Sequence, residues 1–428
     1  MKRRAEVFTY TGLEVDGVTL RGHYELDGRA FVEMVTFEGV ADLNGPAVRS
    51  LGELWYLVAG LSYYKAGAAR RIDVRDTPLG DAGRAFLLAA LHDGLGEFAV
   101  RNNLPLDDVV LEGGLEVRAA PLVLDARRVL TPFGGGIDSV VTVAQLSDAL
   151  DQALFVVSPA GGRFAPLEAS AAVTGLEIVR ATRRLDPQVT SDDDQFFNGH
   201  VPVTAMVTLL AAVAAAATGR GGVVMSNEHS ASAPNLHWRG RAINHQWSKS
   251  FEAEVLIGAA ISERVGKALC VASFLRDRSE LWVAQVFSAL IEYHHVFRSC
   301  NRAFTQSSER RAAQWCGECD KCLFINLVLA PFLARTELAS IFAHEPLSNP
   351  AREGQLRTLV GLGVEHKPFE CVGDPDESAV ALARVSQMPE WRDVANLANL
   401  ASEAAPAHDL ADLLTPKGPS RVPAHWIR

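Results

Sequence analysis

Residues 129–146 read VLTPFGGGIDSVVTVAQL: an apolar run, three glycines in succession, an aspartate, a serine and a second apolar segment. Glycine disfavours the interior of helix and strand alike, so the run reads as a turn that ends a strand and feeds a helix. Such a turn brings bare backbone N–H groups and the positive end of a helix dipole to one point, a combination that suits a phosphate. Ser139 adds a hydroxyl donor. The lysine of a Walker A loop is missing, and the G-x-G-x-x-G spacing of the dinucleotide fingerprint is not met.

The surrounding rhythm sets the fold class. From residue 126, short apolar runs (RRVLTPF, ALFVVSP, GGVVMSN) alternate with helical stretches, which argues for an α/β domain with a parallel sheet covered on both faces. In such sheets ligands sit at the carboxyl ends of the strands. Residues 1–125 carry alternating runs, AEVFTYTGLEV and AFVEMVTFEGV, that read as antiparallel strands, followed by two helical stretches. They predict an α+β N-terminal domain, with no catalytic constellation visible in it. The α/β domain spans 126–335, and residues 336–428 read as a helical C-terminal region whose last dozen residues, KGPSRVPAHWIR, form a loosely held tail.

Composition narrows the function classes. A hydrophobic content of 48% over 428 residues is enough for two or three cores. The net charge of −10 offers no basic footprint for a nucleic-acid partner. The start MKRRAEVFTY has no apolar segment behind its charges, so it does not read as a signal peptide. The segment 201–218 (VPVTAMVTLLAAVAAAAT) is long and apolar but mostly Ala, Val and Thr, with Pro202 near its start. It reads as a buried helix rather than a membrane span, and the expected setting is cytoplasmic.

Of six cysteines, Cys316, Cys319 and Cys322 form a C-x-x-C-x-x-C run, and Cys300 lies sixteen positions upstream. Four soft ligands suit a closed tetrahedral metal site with a structural role, zinc or an iron–sulfur cluster sharing this ligand set. Two polar stretches stand where ligands bind. VVMSNEHSASAPN follows a strand with Asn227, Glu228, His229 and Ser230, and INHQWSKSFEAE supplies Asn244, His245, Lys249 and Ser250.

The glycine loop resembles the S-G-G-x-D-S loop of the N-type ATP pyrophosphatases, the PP-loop superfamily with its HUP-like parallel sheet. Gly135, Gly136, Asp138 and Ser139 fall on that motif, while Gly134 replaces its first serine. The resemblance implies ATP cleaved between its α and β phosphates. FLRDRSELWVAQVF is similar to a late segment of the same superfamily in which a basic residue, here Arg278, meets phosphate. The cysteine run resembles the zinc site of the 7-cyano-7-deazaguanine synthase branch.

With FFNGHVPVTAMV and KPFECVG, most of the chain resembles the MurL-type ATP-dependent UDP-N-acetylmuramoyl-L-alanyl-L-glutamate epimerases of peptidoglycan synthesis. That family inverts the terminal L-Glu of a UDP-MurNAc dipeptide and converts ATP to AMP and pyrophosphate. The resemblance implies ATP, Mg²⁺ and a structural Zn²⁺, and a small-molecule substrate. His229, His245 and Lys249 are the candidates for proton transfer, with Cys371 and Glu228 as further ones, Glu228 alternatively holding Mg²⁺ with Asp138. Asn198, His200, Asn227, Asn244 and Ser250 are the candidate substrate contacts. Competing expectations are a PP-loop enzyme adenylating a deazaguanine or a transfer RNA, and a nucleotide-binding regulatory module without catalysis.

Overall fold

A computed structural model describes residues 2–190, 195–303, 314–363 and 367–428. The strands are β1 (Val7–Asp16), β2 (Thr19–Leu26), β3 (Arg29–Glu38), β4 (Arg71–Asp73), β5 (Val110–Glu112), β6 (Asp125–Pro132), β7 (Asp151–Pro159), β8 (Glu177–Arg184), β9 (Arg220–Met225), β10 (Leu236–Trp238), β11 (Arg241–Ile243) and β12 (Cys270–Ser273). Ten of them form one sheet in the order β12-β9-β6-β7-β8-β3-β2-β1-β4-β5, and β10 and β11 pair as a separate ribbon.

The five strands from β12 to β8 run parallel. β9 is buried at every position, as expected of a strand covered on both faces. Chain order reverses between β6 and β9: β7 and β8 lie on one side, β12 on the other. The crevice beyond the carboxyl ends of β6 and β9 is therefore the place where a ligand enters such a sheet.

The boundary expected at residue 125 does not separate two sheets. β8 pairs antiparallel with β3, Ala181 opposite Phe37, so the N-terminal strands extend the parallel sheet. Across this seam Arg183 of β8 is ion-paired with the fully buried Glu33 of β3, and its Nη2 also donates to Ser62 Oγ at 3.2 Å. The strand alternation read from sequence is present, as in the half-buried, buried repeat of β2. Its buried tyrosine finds a backbone acceptor: Tyr24 Oη donates to the Tyr56 carbonyl at 3.1 Å.

One core lies on each face of the sheet. On the first, helix Val203–Ala217 packs against Pro46–Ala59 and β9, its alanines permitting close approach of the backbones. Among the described residues no helix is long and apolar enough to cross a membrane. On the other face, helices Ile137–Gln145, Glu280–Ser288, Asp320–Leu329 and Pro375–Ser386 share a second core, so the C-terminal helices cover the glycine-loop helix. The tail is not loosely held. Trp426 is buried against Val129, Leu146 and Val224, Ile427 bridges to Leu146, and Arg428 Nη2 meets Asp148 at 2.7 Å.

Candidate active site at the sheet reversal

The glycine loop leaves β6 at the reversal point. Gly135 has φ +73°, where a side chain is strained, and a Cβ on Gly136 would stand 2.6 Å from Ser299 Oγ. The neighbouring Arg298 N–H donates to the Gly135 carbonyl at 3.0 Å, so segment 298–299 backs the loop closely. Gly134 answers to neither constraint: it is exposed, and a Cβ there meets nothing within 4 Å. Gly136 caps helix Ile137–Gln145 without a side-chain bond, which leaves the first-turn N–H groups available. Ser139 donates to the Gly136 carbonyl at 3.1 Å.

Asp138, in that first turn, faces a mixed cluster of charges. Burial and the Glu228 carboxylate push its pKa up to about 6, against the opposing pull of Lys321 and Lys249. Burial, Asp138 and Glu228 likewise raise Glu280 well above the usual carboxylate range. Lys249 is held protonated: burial opposes this, and Cys371, Glu228, Asp138 and Glu280 overcome it. Asp138 Oδ1, Glu280 Oε2 and Lys367 Nζ are all buried without a hydrogen-bond partner among the described residues. An unsatisfied buried polar atom costs roughly 1–3 kcal/mol, so three around one cluster mark a place built for a polar ligand.

Beside this cluster stands a hydrogen-bonded series of titratable groups. Glu97, on helix Gly96–Arg101, bonds Arg101 through one carboxylate oxygen and His245 Nδ1 through the other. Cys371 lies in the segment packed beside the same imidazole, and the two groups shift each other's ionisation. His245 is raised to about 9: burial opposes, and the Cys371 thiol and the hydrogen-bonded Glu97 carboxylate prevail. Cys371 is lowered to about 6: burial opposes, and the Lys249 ammonium and His245 prevail. His200, its ring 4.2 Å from that of His245, is lowered to about 3 by burial and by the charge on His245. The donor atoms of Glu97, His200 and His245 lie within 4.8 Å of one another. Both Glu97 oxygens already accept hydrogen bonds, one from Arg101 and one shared with His245.

The segment carrying Cys371 is fixed from both polar stretches. Gln246 Nε2 donates to the Val372 carbonyl at 3.2 Å and Asn235 Nδ2 to the Pro368 carbonyl at 2.8 Å. Phe369 packs beside His245 with the Arg101 guanidinium 5.3 Å from its ring centre.

The structure brings together Asp138, Glu228, Lys249, His245, His200 and Cys371, and sets other candidates apart. His229 lines a 570 Å³ cavity with Ser230, Asp374, His408 and Lys417, its pKa lowered by burial and Arg276. Arg278 lies over the Trp282 ring and pairs with Asp277 at 3.3 Å. Ser250 caps helix Phe251–Val265 by accepting from Ala253 N–H. Asn227 donates to Ser273 Oγ, Asn244 to the Ala231 carbonyl, and exposed Asn198 accepts from Lys65 Nζ at 3.3 Å. Sequence reasoning missed Glu97, Lys321 and Lys367. The one signal for Glu97 is a charged residue on the apolar side of GEFAVR.

The four cysteine sulfurs lie within 4.8 Å of one another, with Cys316–Cys322 at 3.7 Å and Cys319–Cys322 at 3.4 Å. A tetrahedron with Zn–S bonds of about 2.3 Å has edges of about 3.8 Å, so the donor set fits a closed thiolate site. Two backbone N–H groups, of Glu318 and Cys319, point at Cys316 Sγ at 3.4 Å. Cys300 follows directly on the segment that backs the glycine loop, and Lys321 sits inside the cysteine run.

Comparison with known proteins agrees with this architecture from end to end. Residues 1–274 match the family model of the MurL N-terminal domain, and residues 296–413 that of the MurL C-terminal domain. The chain is 41% identical to the UDP-N-acetyl-alpha-D-muramoyl-L-alanyl-L-glutamate epimerase of Micromonospora sp. (strain ATCC 39149), over 100% of this chain and 98% of that protein. It is 38% identical to the epimerase of the same name from Salinispora tropica, covering 99% and 95%, and 36% to that of Xanthomonas oryzae pv. oryzae, covering 94% and 91%. No solved structure matches it.

Proposed function

The chain belongs to the MurL family, and on that premise we propose that it inverts the terminal L-Glu of UDP-MurNAc-L-Ala-L-Glu to D-Glu, adenylating the α-carboxylate at the expense of ATP. The carrying observation is that one ammonium, Lys249, is held charged both by Asp138 of the glycine loop and by Cys371, whose segment lies beside His245. A nucleotide loop and an acid–base pair thus share one site.

The chemistry needs that juxtaposition. The α-proton of a free carboxylate is a very poor acid, because its loss places a second negative charge beside the first. Adenylation cancels the existing charge, and each ~1.36 kcal/mol then taken off the barrier gains about tenfold in rate. The first-turn N–H groups and the loop backbone bind the triphosphate, while Lys249, Lys321 and Lys367 offset its charge. Asp138, with its orphan oxygen, and neighbouring Glu228 fit a Mg²⁺ ion, which would neutralise phosphate oxygens when bound. The four thiolates fit a structural Zn²⁺, which when bound would fix segment 298–300 behind the loop. His245 and Cys371 move the Cα proton, and protonated Lys249 stabilises the enolate.

Incubation with ATP, Mg²⁺ and UDP-MurNAc-L-Ala-L-Glu in D₂O tests the reading. The expected products are AMP, pyrophosphate and a D-Glu dipeptide with deuterium at Cα. Absence of substrate-dependent AMP sinks it.

A further inference from the structure

We propose that the 570 Å³ cavity next to Glu228 and Glu280 seats the sugar of the substrate, a neutral, hydroxyl-rich hexosamine ring held there while the dipeptide reaches the chemistry. The inference rests on the epimerase reading above and deepens it.

The cavity is continuous with the candidate site. His229 in its wall directly follows Glu228, Ser279 directly precedes Glu280, and Glu377 accepts from the Glu280 N–H at 2.7 Å. Its volume falls within the range of about 300–1,000 Å³ usual for small-molecule pockets. None of the groups given a part in the proposed reaction lines it.

The lining selects the ligand by elimination. Asp374, Asp376 and Glu377 stand with one lysine, Lys417, so the wall disfavours a phosphate. The two helices that begin here, Glu280–Ser288 and Pro375–Ser386, already give first-turn N–H groups to protein oxygens. Glu280 N–H goes to Glu377, Trp282 N–H to Ser279 Oγ at 2.9 Å, and Asp376 N–H to Asp374 Oδ1 at 2.8 Å. Neither helix start needs an anion. Among the described residues, the lining carboxylates and imidazoles do not converge as the cysteine sulfurs do, so they form no cation seat. A flat apolar base would have only Ala233, Ala407 and Leu413 to lie against.

What remains are donors and acceptors suited to hydroxyls. Ser230 is 3% exposed, and its Oγ is buried without a hydrogen-bond partner among the described residues. His408 bonds Asp376 through Nδ1 at 2.7 Å, which leaves Nε2 to a ligand. Asp374 commits one oxygen to its helix and keeps the other. A hydroxyl both donates and accepts, so a sugar ring can meet all three groups at once.

Calorimetric binding in the presence of α,β-methylene-ATP, which cannot be split to AMP, tests the assignment without turnover. Ser230→Ala removes only an unpaired hydroxyl, and Asp374→Asn keeps the oxygen that caps its helix, so both should retain the wild-type urea midpoint. Each is expected to weaken UDP-MurNAc-L-Ala-L-Glu at least fivefold, with UDP and the ATP analogue bound within twofold of wild type. An equal loss for UDP would put the uridine ribose in the cavity, and a loss for the ATP analogue would put the adenosine ribose there. Either result, or unchanged binding of UDP-MurNAc-L-Ala-L-Glu in both variants, overturns the sugar seat while leaving the epimerase reading intact. A wild-type protein that binds no UDP-MurNAc-L-Ala-L-Glu fails the epimerase reading first and overturns both.

Discussion

Glu97 and His245 are 148 positions apart in the chain and meet in a carboxylate–imidazole hydrogen bond inside the candidate active site. The N-terminal part of the chain therefore supplies part of the proposed catalytic machinery, through a residue that acts on another side chain rather than on substrate.

Glu97→Gln keeps the shape and removes the charge. Because Glu97 helps raise His245 to about 9, the neutral amide lowers that value. Epimerisation is expected to drop by about 100-fold in kcat, of the order general acid–base groups contribute, with the alkaline limb of the rate profile moved down. Glu97→Asp should recover part of the rate and restore the limb. An unshifted limb in E97Q would leave Glu97 a purely structural residue.

The imidazolium–thiolate pair also sets a pH window. Cys371, lowered to about 6, is protonated below that value, and His245, raised to about 9, is deprotonated above it. Activity should rise through about pH 6 and fall through about pH 9. Alkylation of Cys371 by iodoacetamide should level off above about pH 7 instead of climbing through the range of an ordinary thiol. The rate of modification of that one peptide, followed by mass spectrometry, checks it.

The glycines of the loop should separate by position. Gly134→Ser meets open space and is expected to change stability by no more than about 0.5 kcal/mol, with the KM for ATP equal or lower. Gly136→Ala brings a methyl to 2.6 Å from Ser299 Oγ and Gly135→Ala adopts φ +73°, so each should cost about 1–2 kcal/mol and weaken ATP binding. Denaturant titration with ATP kinetics distinguishes them.

What could be read from the sequence follows from how locally each feature is written. The glycine loop and the stretch after β9 sit at strand ends, and the cysteine run is one short motif, so turn, strand-end and ligand rules expose them. Glu97, Lys321 and Lys367 acquire meaning only from partners far along the chain. The β3–β8 seam was equally hidden, because alternation reveals that a strand has a buried face but not which strand it joins. Polar residues such as Ser250 and Asn244 look alike in sequence whether they meet a ligand or cap a turn.

Arg298 and Ser299, next to Cys300 of the cysteine cluster, back the loop, so loss of the proposed metal should reach the proposed nucleotide site. Cys322→Ser is expected to abolish the single tightly bound metal per chain, measured by release to a chromogenic chelator. ATP affinity should fall at least tenfold. Unchanged ATP affinity in a metal-free, folded protein would show the cluster and loop to be independent.

The tail gives a test of packing away from the chemistry. Trp426 fills the space over Gly222 of β9, where a Cβ would come within 2.7 Å of its ring and 2.8 Å of Val129. Removing a buried tryptophan costs about 3–5 kcal/mol, and Trp426→Ala should lower the urea midpoint accordingly with little change in the KM for ATP. Gly222→Ala should be destabilising by overpacking, by about 1–3 kcal/mol. The two residues contact one another, so their costs should not add. With the ring gone the extra methyl retains only its clash with Val129, and Gly222→Ala should cost less in the Trp426→Ala background. A coupling near zero would mean that the ring does not occupy this position in solution and that the tail is as loosely held as its sequence suggests.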